Sequence, residues 1–235
     1  MALDGLIAFD RHLLVMLNGS DSMFWDHFML ILTNGLTWLP LLFTLFLLVM
    51  KNNEAMIQIG LVVGCVLLGV FLSGGLNDII IKPLAARPRP CDDPLMKYTV
   101  DVVNNYRASG FSFFSSHSAN TMAIAVFMMW LVRSRLLSLT LFSWSILNGW
   151  SRIYLAQHYP SDVLVGWLWG AMMGSLVYYI FYKLYNKVSP PVNYISSQYT
   201  TTGYSNVDIH NVMLVLMLTI CVTIICALFT MTGSY

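Results

Sequence analysis

Six stretches of this chain run for a membrane's width, or nearly so, without one Asp, Glu, Lys or Arg. They are Phe28 to Met50, Ala55 to Asn77, Phe111 to Val132, Leu136 to Ser151, Val163 to Tyr182 and Ile209 to Tyr235. A helix needs about 20 mostly apolar residues to cross the hydrocarbon core. The fourth stretch is short and has to borrow residues from its flanks. The pattern predicts an all-α integral membrane bundle of six spans. Composition agrees: 57% of the 235 residues are hydrophobic and only 10% are charged, against about 25% in an ordinary soluble domain. A net charge of +1, with no clustered basic surface, excludes a nucleic-acid footprint. The N-terminus lacks the basic start and small-residue cleavage site of a signal peptide, so the first spans are expected to direct insertion. Cys65, Cys221 and Cys226 lie inside apolar runs and Cys91 is alone in a polar stretch, so no disulfide framework or zinc spacing is visible.

Ahead of the first run, Leu3, Leu6, Ile7, Leu14 and Leu17 recur at helical spacing with Asp4, Arg11 and His12 between them. This predicts an amphipathic helix over 1–20, lying on the membrane surface or packed against the bundle. Pro40 interrupts the first run and predicts a kink there. The longest polar stretch is Lys82 to Gly110, and Ser189 to Asp208 reads as a loop. Lys51, Arg133, Arg135, Lys183 and Lys187 all fall on one side of a six-span arrangement, which the positive-inside rule makes cytoplasmic. The polar stretch from Lys82, the connection from Ser151 to Asp162 and both termini then face outward.

Three outward segments carry chemistry. In the first, Lys82, Arg87 and Arg89 are spaced by Pro83, Pro88 and Pro90. The prolines stiffen the backbone, and the planar guanidinium fork matches phosphate oxygens; a basic lipid anchor is the alternative reading. Arg87 itself reads as a fourth phosphate ligand or as a surface cation. In the second, Phe111-Ser112-Phe113-Phe114-Ser115-Ser116-His117 leads into the third run. Ser115 or Ser116 makes a good N-cap, and the helix start it opens can bind an anion beside His117. In the third, His158 precedes Pro160 and Asp162. Pro160 suits the first helical turn, and the carboxylate four residues on can fix the imidazole tautomer, freeing one ring nitrogen as a nucleophile. Taken alone, such a pair is as well read as a tie between a loop and a helix. Together the segments suit phosphoryl transfer: His158 attacks phosphorus, His117 serves as acid and base, and cations including Arg152 stabilise the transferred group. No metal or other cofactor is needed.

These segments resemble the type 2 phosphatidic acid phosphatase superfamily, which also includes bacterial acid phosphatases and vanadium haloperoxidases. The first family motif, Lys, six residues, Arg-Pro, is matched by Lys82 to Arg89-Pro90. The second, Pro-Ser-Gly-His, is matched in part by Phe114-Ser115-Ser116-His117. The third, Ser-Arg, five residues, His, three residues, Asp, is complete in Ser151-Arg152, His158 and Asp162. The resemblance covers residues 28 to 185, a five-span catalytic core within a single domain over 1–235, with 209–235 an additional span. It implies that Lys82, Arg89 and Arg152, with Ser115 and the backbone at Ser116, hold the phosphate. It makes His117 the acid and base, His158 the nucleophile and Asp162 its orienting partner. Ser116 replaces a Gly and restricts the backbone; it either crowds the phosphate or adds a hydroxyl hydrogen bond. Phe114 replaces a Pro and leaves the helix entry less rigid.

A site at bilayer level implies a lipid phosphate as substrate, and the resemblance points to lipids of the bacterial envelope and so to the inner membrane as location. The resemblance favours undecaprenyl diphosphate or a lipid A phosphate over phosphatidylglycerophosphate and phosphatidic acid. The 92–110 loop is expected to roof the site and help choose the headgroup. The competing readings are a soluble-type haloperoxidase, a disabled lipid-binding or transport protein, and a metallohydrolase using His117, His158, Asp92 and Asp93.

Overall fold

A computed structural model describes residues 2–188 and 197–232. Its helices are α1 (Ala2–Leu17), α2 (Met23–Thr33), α3 (Leu39–Lys51), α4 (Met56–Ala85), α5 (Ser116–Val132), α6 (Arg135–Tyr154), α7 (Pro160–Val188) and α8 (Asn206–Thr232). Among the described residues the only strand-like pairing is one bridge between Tyr199 and Ser205. The fold is all-α, as the apolar runs require. The expected loop from Ser189 falls outside the described residues up to position 196.

Three helices, Met56–Ala85, Pro160–Lys187 and Asn206–Thr230, are long and apolar enough to cross a membrane. The pair formed by α2 and Gly35–Lys51 makes a fourth if it is one span. Helix α5 is a shorter apolar helix of 17 residues. Helix α6 reaches 20 residues by taking in flanking positions, Arg135 and Arg152 among them.

The pair of α2 and Gly35–Lys51 is bent by 71°, but not at Pro40. The break lies at Asn34 and the 3₁₀ turn Gly35–Trp38. Asn34 accepts the Leu36 N–H through its side chain (3.0 Å), and the Trp38 indole donates to the Leu32 carbonyl (2.9 Å). Pro40 sits in the first turn of α3, where its missing N–H leaves nothing unpaired.

The segments expected on one side of the bilayer meet at one end of the bundle. At that end Lys51 pairs with Asp208 (3.2 Å), and Thr202 donates to the Val132 carbonyl (2.9 Å). The opposite end gathers α1, the 86–115 segment and the α6–α7 turn. There Asn18 donates to the carbonyls of Tyr154 (2.7 Å) and Asp101 (3.0 Å), and Gln157 donates to that of Tyr106 (2.8 Å). Helix α1 lies against α6 and α7. It buries Asp10 and Leu14 and leaves Leu6, Phe9 and Met16 exposed.

Helices α5 and α7 form the closest pairing. A β-carbon placed on Gly166, Gly170 or Gly174 of α7 would come within 2.7 Å of the main-chain carbonyl oxygens of Ser115, Ala119 and Ala123 respectively. The three glycines recur every fourth residue and so share one face. Without side chains there, the two backbones touch, as small-residue stripes allow in membranes. The N-terminus of α5 is thereby set beside that of α7, and the Ser115 N–H donates to the Asp162 carbonyl across the gap (3.1 Å).

Candidate active site

Helix α4 widens into two π-helical turns, Phe71–Gly75 and Asn77–Ile81, just before Lys82. Such bulges are frequent at functional sites. Ala86 ends the helix in the left-handed region (φ 44°), and the proline-spaced stretch then carries Arg87 and Arg89 across the end of the bundle.

Arg89 is buried. Its guanidinium donates to three main-chain carbonyls, those of Gly110 (3.1 Å), Ser109 (2.9 Å) and Gln157 (2.9 Å). Its Nη1 lies 3.3 Å from Nε2 of His158. Arg152, on the last turn of α6, is buried more deeply. It donates to Thr33 Oγ1 (2.7 Å) and to the Tyr106 hydroxyl (3.2 Å), while its Nε has no partner. Among the ion pairs of the described residues, neither arginine has a carboxylate. Two buried guanidinium groups with no counter-ion make a site that favours an anion. Burial, and then Arg152, hold Arg89 below the usual arginine range. Lys82 pairs with Asp78 (2.7 Å).

His158 lies in the turn between α6 and α7, where its N–H donates to the Arg152 carbonyl (3.2 Å). An arginine can only donate, so Nε2, facing Arg89, carries a lone pair. The ring proton is then on Nδ1. That atom faces the Ser112 hydroxyl (3.4 Å) and Asp162 Oδ2 (3.9 Å). Ser112 Oγ in turn donates to Oδ2 in a very short bond, so Ser112 stands between imidazole and carboxylate. Burial, assisted by Arg152 and Arg89 and opposed by Asp162, pushes His158 down to about 3. It is therefore neutral across the physiological range.

Lys82, Arg89, Arg152, Ser116, His117 and His158 line one pocket of about 810 Å³. Leu42, Val70, Ile124 and Trp144 line it as well. Ile124 is seven residues beyond His117 on α5, about 10 Å along the helix at 1.5 Å per residue, so the pocket descends from a charged head into an apolar wall.

Of the other expected site residues, Ser115 is the N-cap of α5: it accepts from Ser118 N–H (3.4 Å) and Oγ (3.0 Å). Ser116 donates to Asp78 (2.7 Å) and accepts from Asn77 (2.9 Å). Phe114 is buried, rests on Trp169 (ring centroids 5.8 Å apart) and accepts from Asn77 at its carbonyl (2.6 Å). Arg87 is absent from the lining and turns instead to Asp162 and Asp10. Asp92 pairs with Arg107 (2.8 Å), and Asp93 bonds Arg11 (3.2 Å) and Tyr159 (2.6 Å). Neither joins the two histidines. Among the described residues no group of three His, Cys, Asp or Glu is placed to share a metal ion. The sequence reading missed Ser112, Thr33, Tyr106 and Asn77. Asn77 had a signal, being a polar residue at the end of an apolar run beside Asp78, and Ser112 lay within the segment leading to His117.

A helical membrane bundle with uncompensated buried arginines around a neutral, carboxylate-backed histidine is a protein built to handle an anion. The chain belongs to the PAP2 superfamily, whose model matches residues 62–186. It is 35% identical over 177 residues to a lipid A 4'-phosphatase of Bacteroides thetaiotaomicron, covering 74% of this chain and 78% of that one. It is 30% identical over 178 residues to the lipid A 4'-phosphatase of Porphyromonas gingivalis, covering 75% and 74%. The crystal structure of Aquifex aeolicus LpxE superposes with a TM-score of 0.54 at 23% identity, over 71% of this chain and 92% of that one; at that identity the likeness concerns the fold.

Proposed function

We propose that this protein is a membrane lipid phosphatase that removes a phosphate from lipid A. The observation that carries the reading is the pair of buried arginines without carboxylates, Arg89 and Arg152, converging with the His158 lone pair on a pocket that continues into apolar wall. An anionic head on a lipid tail fits both parts. The identity to two proteins named lipid A 4'-phosphatase favours lipid A over undecaprenyl diphosphate.

In this scheme Lys82, Arg89 and Arg152 hold the phosphoryl oxygens, with Ser116 at the pocket edge. Ser115 acts through the helix start it caps. His158 Nε2 attacks phosphorus and the P–O bond to the sugar breaks. The leaving oxygen takes its proton from His117. Asp162, through Ser112, stabilises the positive charge that grows on the imidazole. In the second half His117 takes a proton from water, hydroxide displaces His158 from phosphorus, and phosphate leaves. The fold reading that accompanies this is six spans, with α2 and α3 counted as one. In it α1 is an interfacial helix, 28–185 is the catalytic core and the site faces outward from the inner membrane. The loop sorting and the apolar outer face of α1 support it.

The test is phosphate release by the purified protein in detergent with EDTA present. The substrates are lipid A, undecaprenyl diphosphate, phosphatidylglycerophosphate and phosphatidic acid, with His158→Ala in parallel. Release from lipid A that the variant abolishes is the expected result. Release from undecaprenyl diphosphate alone would replace the substrate, and loss of activity to EDTA would overturn the metal-free mechanism.

A further inference from the structure

Arg87 is a conspicuous cation of the first polar segment that does not face the pocket, and its partners are unusual. Nη1 donates to Asp162 Oδ1 (2.5 Å) and to Ser161 Oγ (2.9 Å), and Nη2 donates to Asp10 Oδ2 (2.7 Å). The guanidinium also lies 3.9 Å from the centroid of the Tyr159 ring, which fixes its plane. Asp10 comes from α1, far away in sequence. It is 8% exposed, although it sits on a helix whose outer face is apolar. Its other oxygen accepts the Ser161 N–H (2.9 Å), one of the free donors in the first turn of α7. Asp10 thus satisfies a helix start from another helix and anchors Arg87 in the same act.

We propose that Asp10 and Arg87 are positioning residues for His158, acting through Asp162; this rests on the reading of His158 as the nucleophile. The carboxylate of Asp162 has two oxygens with separate duties. Arg87 takes Oδ1, so Oδ2 is left to the Ser112 hydroxyl, the Tyr159 N–H (3.1 Å) and the imidazole. Arg87 alone would neutralise Asp162. By sharing the guanidinium, Asp10 leaves one net negative charge on the three groups together. That charge is available when the imidazole becomes positive on attacking phosphorus, where a buried charge is screened little. The planar fork is needed to reach two carboxylates at once, which an ammonium does poorly.

The experiment is a cycle on kcat and KM for the lipid substrate, with Asp10→Asn and Arg87→Lys made in the native chain and in Asp162→Asn. In the native chain each is expected to lower kcat by roughly tenfold or more, with KM within about twofold. In the Asp162→Asn background neither should lower kcat further. Arg11→Gln, which removes the neighbouring α1 contact to Asp93, is expected to leave kcat near the native value. If Asp10→Asn does not fold, Arg87→Lys carries the same test. Equal losses in both backgrounds, or a native kcat in Asp10→Asn, would overturn the inference while leaving the phosphatase reading intact. A native chain inactive on every lipid phosphate would overturn both.

Discussion

His158 is 1% exposed and holds off protonation until about 3. In the unfolded chain its imidazole titrates near 6.5. Between those values the unfolded state binds a proton that the native state refuses. Stability is therefore greatest above 6.5 and falls as pH drops through that window, by up to about 1.4 kcal/mol per unit. Unfolding midpoints taken from pH 7 to pH 4 should show the decline, and His158→Asn should make it shallower; an unchanged slope in the variant would assign it elsewhere. Ser116 gives a second residue-scale expectation. Its hydroxyl links Asn77 to Asp78, so Ser116→Gly should cost about 1 kcal/mol of stability and restore the family's residue without abolishing activity. A gain in stability would mean that the serine is a strained substitute. At this scale the sequence was informative where a motif spaced the residues. His158, Asp162, Arg89 and Arg152 could be named from spacing because local helix and turn geometry brings each to the site end. Ser112 and Thr33 could not, because what makes them neighbours of His158 and Arg152 is tertiary packing. Arg87 was visible, but its partner on α1 was not.

At the scale of elements, the glycine face of α7 decides where the helix starts lie. Gly170→Val would drive a branched side chain into the Ala119 carbonyl, backbone that has no rotamer with which to yield. The expected result is a loss of several kcal/mol and of activity together, read as a lowered Tm and lower folded yield. A folded and active variant would show that the helices can part without harm. The bend in the first span is a milder case. Asn34→Ala removes the side chain that accepts the Leu36 N–H and should cost about 1 kcal/mol. The sequence announced a break in this span but pointed to the wrong residue. Proline is the more visible signal, yet in a first turn it is compatible with a helix, whereas an asparagine cap is easily read as a polar residue in passing.

At the scale of the whole molecule, the charge-free runs made the all-α class plain, because lipid imposes the same length and apolarity on every spanning helix. Their grouping into two ends followed from chain alternation alone. The pocket was not legible, since Leu42, Val70, Ile124 and Trp144 come from four helices and carry no shared pattern. Ile124→Trp should narrow it, raising KM for the lipid several-fold while leaving a short soluble phosphate ester unaffected. Equal effects on both would place the tail elsewhere. Orientation can be tested in a cysteine-free background. Tyr98 is 86% exposed at the site end, and Tyr98→Cys should react with an impermeant maleimide from outside spheroplasts, while Glu54→Cys should not. The reverse labelling would invert the protein.

The contact between α5 and α7 runs main chain against main chain over about two helical turns. A spacing set this way behaves like a rigid gauge block. It depends on bond lengths and atomic radii, not on side chains that repack as the surroundings swell or thin. The two histidines at its end should therefore keep their separation in thick and thin bilayers alike, and turnover should track how easily the lipid enters more than how the host membrane stretches the enzyme.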